Sequence, residues 1–258
     1  TVEPREVTLT WYNYENRTYG DGKYVGATAG SLLEADVGKV QVMVMGNGAN
    51  AAGTFTATAF ALSGYRADNY KLPTTGLTQE YTIGLAEQTL TFASSGDQSV
   101  TYGDTFDNPA TNDCTDGGKV TYTSSNETVA TVDENGVVTA KSVGTTIITA
   151  TAAAVDGKYG EAKEGYTLAV TQRNVTLTVN AASRTYGDAN PDFTATAPSG
   201  ALVGDDTVAS LNLTLSSDAT ATSDVRSYDV TGSANNRNYE VTIDGAGKLT
   251  VTKKELTE

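Results

Sequence analysis

The sequence predicts an all-β protein. It reads as three small antiparallel β domains in tandem, an Ig-like sandwich in the middle and a β-sandwich or β-grasp-like sheet on either side, strung into an elongated rod. Three observations predict it. The string Thr-Tyr-Gly-Asp occurs three times, at Thr18–Asp21, Thr101–Asp104 and Thr185–Asp188, 83 and 84 residues apart. Three periods of about 85 residues fill the chain, and that length suffices for one modest core each. The residue supply is that of strands and turns, with abundant Thr and Val, 14 Tyr, 26 Gly and 5 Pro among 258 residues. Finally, no stretch holds a 3.6-residue apolar period over a dozen positions, so long helices are not expected.

The first period, residues 1–84, opens on "REVTLTW" (Arg5–Trp11), an alternating strand with Val7, Leu9 and Trp11 on one face. The turn "NRTYGDG" follows, then "LLEADVG" (Leu32–Gly38), expected as a short helical segment. The strand "AGTFTATAFALSG" (Ala52–Gly64) and the pair Asn69-Tyr70 precede a last strand. The third period, residues 172–252, repeats this plan: "RNVTLTV" (Arg173–Val179), "SRTYGDA", "LVGDDTV" (Leu202–Val208) and Asn238-Tyr239. This alignment sets Asp36 opposite Asp205. The middle period, residues 85–171, shares only the opening. It continues with "VTYTSSN", a hairpin around Asn135-Gly136, the strand "TTIITATAA" and a closing "YTLAVT" (Tyr166–Thr171). The seams are two to four residues long and carry no Gly/Ser or Pro run, so no floppy tether is expected. With strands of about ten residues, each period would add roughly 35–40 Å. The final "KKELT" reads as the stub of a following unit, residues 253–258, and the opening "TVEPREV" has neither an initiator Met nor a signal-peptide pattern. The chain is expected to be a piece of a longer array.

Lys and Arg number 17 against 31 Asp and Glu, a formal charge of −14. That field repels nucleic acid and anionic lipid. No apolar run approaches the roughly 18–20 residues of a membrane span. There is no His, which removes the commonest general base and transition-metal ligand. The single Cys114 permits no internal disulfide. No catalytic, cofactor or metal residue is assigned, and no cofactor is expected.

Several residues invite a functional reading and receive a structural one. Asp21, Asp104 and Asp188 could serve Ca²⁺ loops. One Asp per repeat is too few for six to eight oxygen ligands, and a turn is the simpler account: Gly supplies a positive φ, Asp caps, and Tyr packs on the core edge. The acidic stretch with Asp104, Asp107, Asn108, Asn112, Asp113 and Asp116 lacks the ordered spacing of a calcium loop. Glu34/Asp36 and Asp205-Asp206 recur at one scaffold position, which speaks against a glycosidase pair. Trp11 is expected in the core, Tyr12 exposed, and Tyr14 completes a conceivable sugar platform. Lys39 and Lys248 are candidates for side-chain crosslinks. Sequons at Asn16, Asn126, Asn174 and Asn212 matter only in a eukaryotic source.

These residues carry resemblances. The third period resembles the MBG domain of the YGX type through Tyr186, Gly187, Phe193, Gly204, Asp205, Tyr228, Asn238 and Tyr239. The first is similar to the YDG domain, although Tyr-Asp-Gly appears here as Tyr-Gly-Asp-Gly. The middle one, through "YTSSNETVATVDENGVVTAKSVGTTIITATA", resembles the bacterial Ig-like domain of intimin- and invasin-type surface proteins; its opening "TYGD" departs from that pattern. The resemblances imply large secreted or wall-anchored bacterial proteins, hence an extracellular or cell-surface setting, and they transfer no site. The expectation is a non-catalytic spacer that projects a functional head, monomeric as a fragment. Two alternatives stand beside it: adhesin modules that bind a host or environmental glycan or protein, and an accessory region of a secreted glycoside hydrolase.

Overall fold

The structure, a computed structural model, describes residues 2–245 and 247–256. Thr257 and Glu258 of the expected 253–258 stub lie outside the described residues. The chain is all-β. Among the described residues there is no α-helix, only 3₁₀ turns at Glu34–Asp36, Ala67–Asn69 and Val208–Leu211. The helical segments expected around Leu32–Gly38 and Leu202–Val208 thus shrink to single turns. A β-grasp sheet needs a helix across its face, so sandwich-like packing is what remains. The chain divides into two compact units. One comprises Thr1–Thr91, Thr111–Thr121 and Thr151–Lys163; the other comprises Phe92–Ala110, Tyr122–Ala150 and Glu164–Glu258. Every sheet nonetheless draws its strands from one period.

In the first period, Thr8–Tyr12 pairs antiparallel with Gly26–Gly30, and a four-stranded sheet runs in the order Arg17–Thr18, Thr78–Gly84, Gly53–Ser63, Gln41–Met45. Alternation sends Leu9 and Trp11 inward and Thr8, Thr10 and Tyr12 outward, as the pattern predicts. Two small cores result, one around Val25, Ala57, Tyr81 and Ile83, the other around Val7, Val40 and Tyr70.

The middle period holds a four-stranded sheet ordered Gln98–Thr101, Ala162–Thr171, Gly144–Ala152, Val120–Ser124, and a three-stranded one ordered Thr105–Asp107, Val137–Ala140, Ala130–Val132. The hairpin forms where Asn135-Gly136 predicts it. Gly136 has φ +84°, and the Asp133 carboxylate accepts the N–H groups of Asn135 and Val137, both at 2.9 Å. In the third period the main sheets are ordered Ala195–Thr196, Arg173–Val179, Tyr239–Asp244 and Ala182–Thr185, Lys248–Thr252, Ser227–Asp229. Their cores gather on Val175, Leu177, Leu211 and Tyr239, and on Val179, Val230 and Leu249.

The strands are not all antiparallel, which corrects one expectation. The strand leading into each Thr-Tyr-Gly-Asp string runs parallel to the last strand of its own period. The pairs are Arg17–Thr18 with Ile83–Gly84, Gln98–Thr101 with Leu168–Thr171, and Ala182–Thr185 with Leu249–Thr252. A parallel pair needs a long crossover, and the body of the period supplies it. The opening strands follow suit: Arg5 lies opposite Tyr70, and Arg173 opposite Tyr239, both in parallel register.

Candidate functional site

The parallel pairs place all three Thr-Tyr-Gly-Asp strings where the chain leaves its period. The tyrosine N–H extends the ladder by one bond to the last strand: Tyr19 to the Gly84 carbonyl, Tyr102 to Thr171 and Tyr186 to Thr252, each at 2.9 Å. The chain then reverses. Asp21, Asp104 and Asp188 donate their N–H to the carbonyls of Thr18, Thr101 and Thr185 at 3.2, 3.0 and 3.1 Å. The intervening Gly20, Gly103 and Gly187 have φ of +76°, +84° and +95°, a conformation that only glycine adopts without strain. The turn reading of the sequence is correct in backbone. The side chains depart from it in the first two strings, where the rings of Tyr19 and Tyr102 pack on residues of the next period.

Tyr19 meets residues of the middle period. Its ring stands edge-on to Tyr159 (centroids 5.3 Å apart, planes at 81°), its hydroxyl is 3.5 Å from Asp116 Oδ2, and the Lys158 ammonium lies 5.7 Å from its ring centroid. Asp116 also accepts from Lys158 Nζ at 2.8 Å and from the Tyr159 hydroxyl at 2.9 Å. Lys158, then Tyr159, hold the Asp116 carboxyl below its usual range, and the Tyr159 phenol is raised chiefly by that carboxylate. A backbone bond joins the periods beside it, Ala52 N–H to the Gly157 carbonyl at 2.7 Å.

Tyr102 repeats this arrangement on the third period. Its ring stands edge-on to Tyr239 (5.4 Å, 83°), and both hydroxyls donate to Asp206 Oδ2, at 3.0 and 2.7 Å. Tyr239 is buried, which with Asp206 beside it pushes its phenol up to about 12. Around the pair, Arg173 Nε donates to the Tyr102 carbonyl at 2.9 Å, and its guanidinium pairs with Asp104. Asn238 Oδ1 accepts from the Ser142 hydroxyl and the Val143 N–H, at 3.1 and 3.0 Å. Gly103 sits so close to Val203 that a Cβ there would fall 2.4 Å from its methyl carbon. Tyr186, the third tyrosine, is 40% exposed.

The other candidates are distributed among local structural tasks. Asp21 is gripped by the buried Arg17 through Nε at 2.7 Å and Nη2 at 2.9 Å, and accepts the Lys23 N–H at 2.9 Å. Arg17 holds its carboxyl well below the usual carboxylate range. The corresponding Arg184 pairs with Asn190 instead, at 2.7 Å. In the acidic stretch, Asn108 is fully buried and bonds the Ser94 N–H at 2.6 Å and carbonyl at 3.2 Å. Asn112 donates to the buried Gln88 at 2.7 Å, and Asp113 accepts the Thr89 N–H at 2.7 Å. Among the described residues, no group of three or more His, Cys, Asp or Glu is placed to hold a metal ion. Burial, with Asp113 next, raises the Cys114 thiol. Asp36 and Asp206 each accept a tyrosine hydroxyl, so Asp206, not Asp205, is the counterpart of Asp36. Trp11 and Tyr14 pack on the first core and Tyr12 is exposed, so the three form no sugar platform. Lys39 Nζ donates to the Ala35 carbonyl at 2.6 Å, and Lys248 pairs with the exposed Asp229. Asn126 caps its own turn through the Thr128 hydroxyl at 2.7 Å.

Sequence reasoning missed Arg173, Tyr159 and Lys158 altogether. The one available signal was the repetition of a tyrosine that the turn itself does not require.

Residues 175–250 match the family model described as MBG domain (YGX type). Residues 88–162 match the one described as bacterial Ig-like domain (group 2). Neither spans half of the chain. No match was found among curated proteins. Among solved structures, the S-layer protein SbsC domains 4 and 5 align at 20% identity over 64% of this chain and 99% of that one, with a TM-score of 0.27. Mouse cadherin-23 EC22–24 aligns at 12% over 96% and 86%, TM-score 0.30. The three N-terminal domains of the bacteriophage RB49 outer capsid protein Hoc align at 12% over 90% and 79%, TM-score 0.28. Scores this low carry nothing further for this chain; its all-β class rests on its own strands.

Proposed function

We propose that this chain is a non-catalytic spacer segment of a bacterial cell-surface or secreted protein, built of three modules in tandem (1–84, 85–171 and 172–252). The observation that carries this reading is the repeated joint. In both cases a Thr-Tyr-Gly-Asp tyrosine leaves its own period and meets a tyrosine edge-on and an aspartate on the next. Such a joint takes up slack at the seam and limits bending. The MBG and Ig-like matches support a surface setting, since such domains are typical of bacterial surface proteins. The first period supplies a third module of YDG type. In pulling experiments on single molecules, the chain unfolds in three steps that each release roughly 250 Å, the extended length of about 85 residues less the folded length. Release of the whole length in one step would overturn the modular reading.

A second reading, direct binding, has one observation in its favour. Met43, Met45 and Phe60 are exposed on the edge strand Gln41–Met45 and its neighbour Gly53–Ser63. Binding to a glycan or protein array that Met43→Ser with Met45→Ser abolishes would establish it; an array without hits would remove it.

A further inference from the structure

The first period carries a second copy of the half-joint that receives Tyr102. In the third period this half-joint consists of Val203, Asp206, Asn238, Tyr239 and Arg173. The first period holds Leu33, Asp36, Asn69, Tyr70 and Arg5 in the same places, with matching geometry. The Tyr70 hydroxyl donates to Asp36 Oδ2 at 2.9 Å and accepts the Leu33 N–H at 3.0 Å. The Tyr239 hydroxyl likewise donates to Asp206 Oδ2 at 2.7 Å and accepts the Val203 N–H at 2.7 Å. Arg5 lies opposite Tyr70 in the same parallel register that sets Arg173 opposite Tyr239. The two copies differ in burial. Where Tyr102 fills the third-period copy, Arg173, Val203 and Asn238 are partly buried. In the first period Arg5 and Asn69 are exposed, Leu33 is 58% exposed, and a cleft of about 320 Å³ opens beside Asp36 and Tyr70; Asp36 itself is buried, with Arg66 Nε 3.6 Å from its Oδ1. The opposite half of a joint is also present: Tyr186, partly exposed on its turn, beside the same parallel strand end.

We propose that the Asp36–Tyr70 cleft is a socket for a Thr-Tyr-Gly-Asp turn, and that Thr185–Asp188 of a second copy of this chain, set head to tail before it, fills the socket. The Tyr186 hydroxyl donates to Asp36 Oδ2, its ring stands edge-on to Tyr70, and Gly187 passes against Leu33. Arg5 takes the Tyr186 carbonyl and the Asp188 carboxylate, as Arg173 takes those of Tyr102 and Asp104. A contact with this few bonds is weak between free molecules, so a tether that raises the effective concentration to the millimolar range reveals it. The inference rests on the joint reading above, but its failure would leave the three-step unfolding untouched.

The test is a concatemer of two copies in which Thr252 of the first is followed by Pro4-Arg5 of the second, the spacing of the Thr171-Gln172-Arg173 seam. Tyrosine nitration, read by mass spectrometry, reports access to Tyr186. In the single chain Tyr186 reacts freely. In the concatemer one of its two copies is protected, and the yield at Tyr186 falls by about half. Asp36→Asn in the second copy restores the full yield. Arg5→Ala, an exposed position whose change leaves the fold intact, restores it in part. Full reaction of Tyr186 in the concatemer, or protection that neither substitution relieves, would overturn the proposal.

Discussion

At the scale of residues, the most buried ion pair among the described residues sits at the first turn. Arg17 and Asp21 form a two-bonded pair next to Tyr19, and because Arg17 lowers the Asp21 carboxyl, the sign of its pH dependence is fixed. The stabilisation is present above the unfolded value of 3.8 and is lost as the pH falls through the folded value. Arg17→Met therefore flattens the acid limb of the first period's unfolding curve below about pH 4, a change that Trp11 fluorescence reports. Asp206 is the corresponding hub of the second joint. Tyr102→Phe removes one hydrogen bond to a carboxylate and costs about 1–2 kcal/mol, while Asp206→Ala strands two phenols and costs about 2–4 kcal/mol. Calorimetry that finds the two variants equal would argue against a shared acceptor. At the alkaline end the sign reverses. The Tyr239 phenol is raised above its ordinary 10.0, so its contribution is complete below pH 10 and disappears as the pH climbs through about 12. Near-ultraviolet titration of wild type against Tyr239→Phe reads that step.

At the scale of elements, the turn glycines separate backbone strain from packing. Gly20 and Gly103 share nearly the same positive φ, yet a Cβ at Gly20 meets open space and one at Gly103 meets Val203. Gly20→Ala is expected to cost about 1 kcal/mol from the left-handed conformation alone. Gly103→Ala adds overpacking of about 1–3 kcal/mol, so the two substitutions, compared by thermal unfolding, should differ measurably. The turns and the alternating strands were legible because both are written in neighbouring residues: Thr8–Tyr12 alternates, and Gly marks each positive φ. The parallel pairing was not legible. Thr18 and Gly84, or Thr185 and Thr252, are more than sixty residues apart, and an alternating pattern reads the same in either strand direction. The placement of Asp36 opposite Asp205 slipped by one residue for a related reason. Asp205 and Asp206 look alike in sequence, and the Tyr102 and Tyr239 hydroxyls, both donating to Asp206, distinguish them.

At the scale of the whole molecule, the repetition takes on meaning. Three strings of four residues recur because each closes its period at the exit. Two of them already hold the following period by the same tyrosine–tyrosine–aspartate arrangement. The sequence showed the period but not the joint, since Tyr159 and Asp116 lie more than ninety residues beyond Tyr19, with no motif linking them. Small-angle scattering from the chain in solution tests the tandem arrangement most directly. Three modules of roughly 35–40 Å set end to end give a radius of gyration of about 30 Å. A single compact body of this length gives about 18 Å, and that value would contradict the tandem spacer.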